Sequence, residues 1–255
     1  MSALAIDMVS VIKKEDKYSV FIAEDEYTKQ LCYKLRYNVF AEELGAEIVI
    51  ENNAMDKDRF DNHCHHLVVY DNKTNEIVAT TRLLDNDGRK ETGMFYSETE
   101  FDISNIFNPD VNYIEVGRTC IHPDYRRGAV LAMLWRGIAE IVVSENIDYL
   151  IGCASIPFNN GDQYIASVMD QIHKYHYAPE SLRVRPLVPL RLNMEQVNDE
   201  ATLPTLLKAY IRQGALICGE PYWDAAFGVA DVFVLLEAGN ITSRYSKHFI
   251  SRVDS

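Results

Sequence analysis

Glu115 and Arg118 stand three residues apart in Tyr113-Ile-Glu-Val-Gly-Arg-Thr-Cys-Ile121, a run whose remaining members are mostly apolar or small. A carboxylate in a partly apolar cleft holds its proton more tightly, which suits it to taking a proton from an amine. On a regular strand these two side chains face opposite ways. A shared cleft therefore requires an irregularity, and Gly117 between them offers a bulge; the alternative is a structural ion pair. Directly downstream, Ile121-His-Pro-Asp-Tyr-Arg-Arg-Gly-Ala-Val130 reads as a strand end, a turn and a helix start. The free amides of such a terminus, with Gly128 and Ala129 leaving the backbone open and Arg126 and Arg127 adding charge, can cradle a phosphate. A solvated turn with two surface arginines is the competing reading.

A second group of polar residues lies upstream. Arg36 interrupts the helical row Cys32, Arg36, Phe40, where a guanidinium is costly unless paired or lining a polar pocket. Arg82 ends a strand run among Thr80, Thr81 and Leu83. With Asp56, Asp58 and Asp61 these residues can build a site for a zwitterion, guanidinium for carboxylate and carboxylates for ammonium. His63-Cys-His-His66 invites a zinc reading, but consecutive residues cannot all reach one tetrahedral ion, and no metal is expected. Cys120 and Cys153 lie at apolar strand ends, where a thiol is usually inert, and the Gly-x-Ser-x-Gly pattern of a serine nucleophile is missing.

Positioning these residues takes a recognisable set of elements. Tyr18 to Ala23 is a short strand, and Asp25 with Glu26 opens a helix over about 25–44 that Gly45 stops. Ala46 to His63 reads as a long loop. His66–Tyr70 and Ile77–Leu84 are strands joined by the turn formers Asp71 to Asn75, hence antiparallel neighbours. After a second irregular stretch comes the strand 113–121, then a helix over about 127–145 whose Leu131, Leu134, Trp135, Ile138, Ile141 and Val142 repeat at helical spacing. The strand 148–154 completes a βαβ unit, so it should run parallel to 113–121 in a mixed sheet. Helices over about 163–174 and 203–213, strands at 215–219 and 229–237, and a helical tail complete one domain with its core at about 18–237.

The chain has 255 residues, 47% apolar and 25% charged, with a formal charge of −13. That balance disfavours nucleic acid and anionic membranes as general partners. The charge is nonetheless uneven: Arg118 to Arg136 carries four Arg against one Asp, so an acidic or phosphate-bearing ligand can dock locally. No stretch approaches the roughly 20 apolar residues of a membrane span, and the start lacks a basic, apolar leader. Five widely spaced cysteines suit reduced thiols in a cytoplasm.

Several ordered blocks resemble one family. They are Leu35 to Gly45 with Arg36, Val39 and Phe40, the run Phe60 to Val69, and Gly93 to Glu98 with Glu100 to Asp102. Glu115 to Cys120, Ile151 to Ser155, and Leu203 to Tyr210 through Phe233 continue the match, so it spans about 25–237. These look like blocks of the ornithine-acyl-ACP N-acyltransferases, which are similar to the acyl-homoserine-lactone synthases. The resemblance implies an α/β GNAT (acyl-CoA N-acyltransferase) fold, with a mixed central sheet flanked by helices and parallel strands that splay at the acyl-donor site. It implies a 3-hydroxyacyl chain passing from acyl carrier protein to an amino-acid amine, typically that of ornithine, on the way to aminolipids. Glu115 would take the proton and Arg118 would assist. Arg36, Phe40, Asp56, Asp58, Asp61 and Arg82 would meet the amine substrate, and Cys120, Ile121, Arg126, Arg127, Gly128 and Ala129 the donor's pantetheine. No bound cofactor is implied; the acyl-ACP phosphopantetheine thioester is a co-substrate, with acyl-CoA as the other donor. Arg126-Arg-Gly-Ala-Val-Leu131 departs from the Arg/Gln-x-x-Gly-x-Gly/Ala turn of most GNAT acetyltransferases, which favours a single phosphate over a pyrophosphate. A signal synthase, an acyltransferase for glycine or another amine, and a non-catalytic carrier-protein-binding module are the competing readings. The Pro-rich stretch Arg183 to Asn193 either closes the acyl pocket or touches a membrane surface.

Overall fold

The computed structural model describes residues 11–15, 17–47, 54–158, 161–194, 197 and 201–241. In chain order they form β1 (Val11–Lys14), β2 (Tyr18–Ile22), α1 (Glu26–Tyr37), β3 (His65–Asp71), β4 (Glu76–Asp85), α2 (Asn86–Thr92), β5 (Phe101–Asp102) and β6 (Tyr113–Ile121). There follow α3 (Ala129–Ser144), β7 (Tyr149–Pro157), α4 (Gly161–Tyr175), β8 (Arg185–Pro186), α5 (Thr205–Arg212), β9 (Leu216–Ile217), β10 (Tyr222–Asp224) and β11 (Val229–Glu237). The chain divides into two compact units: 1–84 with 116–145, and 85–115 with 146–255. Strand β6 passes from the second unit to the first after Glu115.

In the first unit the strands run in the order β1-β2-β3-β4-β6, and β1 to β4 pair antiparallel. The β3–β4 hairpin turns where Asp71 accepts from the amides of Lys73 and Thr74, the side-chain chemistry that marked this turn in the sequence. Helix α1 starts where the Asp25 carboxylate accepts from the Thr28 amide at 2.8 Å. It continues as a six-residue π-helix, Asn38–Glu43, and stops at Gly45 with φ +76°. The widened turn shifts residues after Tyr37 around the axis, which strict 3.6-residue periodicity does not anticipate. Helix α3 buries Val130, Met133, Leu134, Trp135, Ile138 and Val142. Gly137 lets α3 come close to the sheet, since a Cβ there would lie 2.7 Å from Val20 and 2.9 Å from Leu67.

In the second unit, Tyr113 to Glu115 of β6 pairs parallel with Tyr149 to Ile151 of β7. Strand β7 pairs antiparallel with β11 over nine residues, and β10 and β9 both pair with β11. The sheet is therefore mixed. The parallel ladder covers three residue pairs, although β6 runs to Ile121 and β7 to Pro157. Helix α4 buries Ile165, Val168, Met169 and Ile172.

Two expectations need correction. The stretch read as irregular after β4 contains α2, capped by Asp85 on the Gly88 amide and ended by Gly93 at φ +81°, and then a 3-10 turn, Tyr96–Thr99. Its sequence, Asn-Asp-Gly-Arg-Lys-Glu-Thr, has no apolar periodicity, so only its caps could mark it. The long loop Ala46 to His63 ends in a short 3-10 turn, Asp61–His63; residues 48–53 of that loop, and 242–255 of the expected tail, lie outside the described residues.

Candidate active site

Glu115 is the last residue of the parallel ladder, 4% exposed. Its Oε2 accepts from the Tyr96 amide at 2.6 Å and its Oε1 from the Ser97 amide at 2.7 Å. The 3-10 turn thus aims its free N-terminal amides at a buried carboxylate, a pairing that local geometry favours strongly. Strand β6 loses its regular alternation three residues later, where Arg118 adopts φ +50°. The expected irregularity is present, and it falls on Arg118, not on Gly117.

Arg118 belongs to the first unit, where it joins a network of three arginines and three aspartates. Arg36 of α1 is 1% exposed; its Nε donates to Asp56 at 2.8 Å and its Nη1 and Nη2 donate to Asp61 at 2.6 and 3.1 Å. Arg82 of β4 donates to both oxygens of Asp58 at 2.7 Å and lies 3.4 Å from Asp61. Arg118 reaches Asp56 at 3.3 Å and Asp58 at 3.4 Å. Formal charges cancel, which is the condition under which buried ions are tolerated. Burial works against the Arg36 cation, but Asp61 and Asp56 outweigh it and raise its pKa well above the ordinary value. Burial would likewise lift the Asp61 carboxyl, but Arg36 and Arg82 hold it far below the usual carboxylate range. The five ionic residues expected to handle a zwitterion, and Phe40, half-buried beside Leu35, Val39 and Cys120, are therefore in one unit, and with Arg118 the ionic groups neutralise one another.

Two members of this network were not singled out by sequence. His66 places Nε2 3.2 Å from the Asp61 carbonyl and 3.4 Å from the Tyr33 hydroxyl. Burial lowers its pKa to about 4, so it is neutral near pH 7. The Tyr33 and Arg36 side chains meet as cation and ring at 5.4 Å. His66 was read only as part of a metal-like run. Its position at the strand end opposite Arg82 in the β3–β4 register is the signal that ties it to the network.

The turn before α3 is organised as expected in outline. Gly128 caps the helix at φ +93°, and Ala129 is its first residue. Arg126 does not point free: its guanidinium donates to both oxygens of Glu43, at 2.5 and 2.7 Å, and to the Ile121 carbonyl at 3.0 Å. Arg127 is exposed. Cys120 and Ile121 are buried, and burial pushes the Cys120 thiol far above its usual value, so it is no nucleophile.

A family model described as an acetyltransferase (GNAT) domain matches residues 35–136. The chain is 32% identical to an L-ornithine Nα-acyltransferase of Rhodobacter capsulatus, over 93% of this chain and 96% of the relative. It is 33% identical to one of Brucella abortus, over 90% and 88% respectively. Among solved structures it is similar to the acyl-homoserine-lactone synthase LasI (TM-score 0.53, 14% identity, 87% of this chain and 90% of that one). It is also similar to the CoA-dependent acyl-homoserine lactone synthase BjaI, solved with SAM and isopentyl-CoA (TM-score 0.54, 12% identity, 87% and 82%). These two share the fold. At the level of sequence, the likeness runs through α1, β4, β6 and α3, the elements that carry the arginine network, Glu115 and the Arg126 turn, and the chain belongs to the L-ornithine Nα-acyltransferase family, with a GNAT fold.

Proposed function

We propose that this enzyme moves a 3-hydroxyacyl chain from the pantetheine thioester of an acyl carrier protein to the α-amine of ornithine. The observation that carries the reading is the likeness to the ornithine acyltransferases over more than nine-tenths of the chain. The substrate ammonium first gives a proton to Glu115, directly or through water. Its nitrogen then attacks the thioester carbonyl carbon; the C–N bond forms, the C–S bond breaks, and the departing thiolate takes up a proton. An amide and a free pantetheine thiol result. The two hydrogen bonds from the Tyr96 and Ser97 amides hold the Glu115 carboxylate in one orientation, which supports its role as proton acceptor.

Further along β6, the amides of Arg118 to Cys120 serve the developing oxyanion. Arg118 and Asp58, with 13% and 25% of their side chains exposed, are the members of the ion network open to a substrate carboxylate and ammonium. Arg36, Arg82, Asp56 and Asp61, all nearly enclosed, hold those two in place, and Phe40 packs against the cluster of Leu35, Val39 and Cys120. Arg127, Gly128 and Ala129 meet the single phosphate of the carrier's pantetheine, with Arg126 braced by Glu43 and Cys120 and Ile121 lining the arm. The acidic carrier protein docks on the basic turn. None of the described helices is long and apolar enough to cross a membrane. In this reading the enzyme works in the cytoplasm and delivers its lipid product at the inner membrane face, where Leu187 and Val188, 55% and 51% exposed between Arg185 and Arg191, supply an apolar and basic contact.

The test is mass spectrometry of products from the purified protein with 3-hydroxyacyl-ACP or the matching acyl-CoA, and a mixture of amino acids. N-acylornithine formed faster from the carrier-protein donor is the expected result. Acylation of another amine alone, or of S-adenosylmethionine with lactone closure, would overturn the substrate. Equal rates from CoA would overturn the donor.

A further inference from the structure

Glu115 is not the only buried carboxylate of the second unit. Glu100, just after the Tyr96–Thr99 turn, Asp224 of β10 and Asp231 of β11 each place a carboxylate oxygen within 4.8 Å of the other two. Glu100 is 3% exposed, Asp231 4% and Asp224 9%. The Glu100 Oε2 is buried without a hydrogen-bond partner. Asp224 Oδ1 accepts from the amides of Ala226 and Phe227, and among the described residues no Lys or Arg pairs with Glu100 or Asp224. The Cys153 thiol and the Tyr96 and Tyr222 hydroxyls complete the polar surroundings, and the rings of Tyr222 and Phe233 flank Phe101 beside them. Burial, then the charge of Asp231, push the Glu100 carboxyl up to about 8; a hydrogen bond with Cys153 opposes them, Asp224 adds to the rise, and Tyr96 opposes it slightly. A buried group this poorly compensated is costly unless a cation completes it.

We propose that this cluster binds the distal ammonium of the amine substrate, so that Glu100 and Asp231 select a diamino acid over one with an apolar side chain. The inference rests on the function proposed above. In register, Glu115 lies opposite Ile151 and Asp231 opposite Ser155, and strand alternation puts both on the face that carries Cys153. Cys153 accordingly feels the charges of Glu100, Asp231 and Glu115 together. Two strand spacings and four residues of rise separate the Glu115 and Asp231 Cα atoms by roughly 16 Å. Two carboxylate side chains, two charge-assisted hydrogen bonds of about 2.8 Å and an ornithine nitrogen-to-nitrogen reach of about 6 Å fill that span. An alkylammonium offers three N–H donors to three acceptors, whereas Mg2+ or Ca2+ asks for six or more oxygens.

The experiment compares kcat/KM for ornithine with that for 2-aminopentanoate, which has the same carbon chain without the distal ammonium, in wild type, Glu100→Gln and Asp231→Asn. A bound ammonium would displace the proton from Glu100; glutamine keeps the volume of that side chain but cannot ionise, and thermal melts confirm folding of each variant. The expected result is that wild-type preference for ornithine falls about 10- to 100-fold in a folded variant, the size of one lost charge-assisted contact. Unchanged preference in folded Glu100→Gln and Asp231→Asn would overturn the inference and leave the function standing. Wild-type activity abolished by EDTA and restored by Mg2+ would assign the cluster to a metal and overturn it as well. A wild type that acylates no ornithine sinks both.

Discussion

Replacing Asp61 with asparagine removes one negative charge from the most enclosed part of the ion network while keeping side-chain volume. Asp61 accepts from Arg36 twice and from the Asp58 amide at 2.7 Å, and it lies 3.4 Å from Arg82. Asparagine keeps one oxygen and turns an NH2 toward a guanidinium donor, so at least one of these bonds becomes a donor-to-donor contact. Arg36 and Arg82, 1% and 3% exposed, would be left with excess positive charge out of reach of water. Breaking a buried ion pair from one side typically costs about 3–5 kcal/mol, so a loss near 3 kcal/mol is expected. The retained Asp56 and Asp58 partners place it at the low end. Urea unfolding can be followed by Trp135, which is buried in the first unit, in a Trp223→Phe background that silences the second tryptophan. The sign with pH is fixed by the depressed Asp61 pKa. The native carboxylate contributes its stability fully above the unfolded value of 3.8 and loses it only as pH falls through the lower native value, so the gap between wild type and variant should be constant from pH 5 to 8. A destabilisation under 1 kcal/mol, or a gap that closes above pH 5, would refute the claim that this network is a buried, mutually neutralising frame.

Glu115→Gln should lower turnover by about 10²-fold or more with the fold intact, because glutamine still accepts one of the two amides; undiminished turnover would remove Glu115 from the chemistry. The raised pKa of Glu100 has the opposite sign to that of Asp61. The native state holds a proton that the unfolded chain has released above about pH 4.5, so stability falls between there and pH 8, and Glu100→Gln should become progressively more stable than wild type over that window in thermal melts. A stability gap that does not vary with pH would show that Glu100 is not held protonated. Burial raises the thiols of Cys32, Cys120 and Cys218, so the native protein should leave these three unreacted with a thiol reagent at pH 8 until denaturant is added. Rapid modification of Cys120 in the native state would contradict its burial against Leu35 and Val39.

By itself the sequence determined those parts of the fold that short-range periodicity encodes. Strand β6 at 113–121 and β11 at 229–237 coincide with the runs read from alternation and apolarity, and α3 and α4 differ by about two residues at their ends. The antiparallel β3–β4 hairpin followed from the turn formers between its strands, and the parallel β6–β7 ladder from the helix that connects them. Charged residues such as Arg36 were also legible, because one in an apolar row is anomalous wherever the chain then goes. Tertiary structure alone decided what those residues do to one another. Arg36, Asp56, Asp61, Arg82 and Arg118 come from four separate segments, and only their meeting shows that the charges cancel. The two amides that hold Glu115 belong to a turn 18 and 19 residues away, which has no pattern of its own. Glu100 and Asp231 lie on opposite sides of α3, β7 and α4 in the chain, and no local rule brings them together. Burial and proximity set the state of a titratable group, and both belong to the folded molecule.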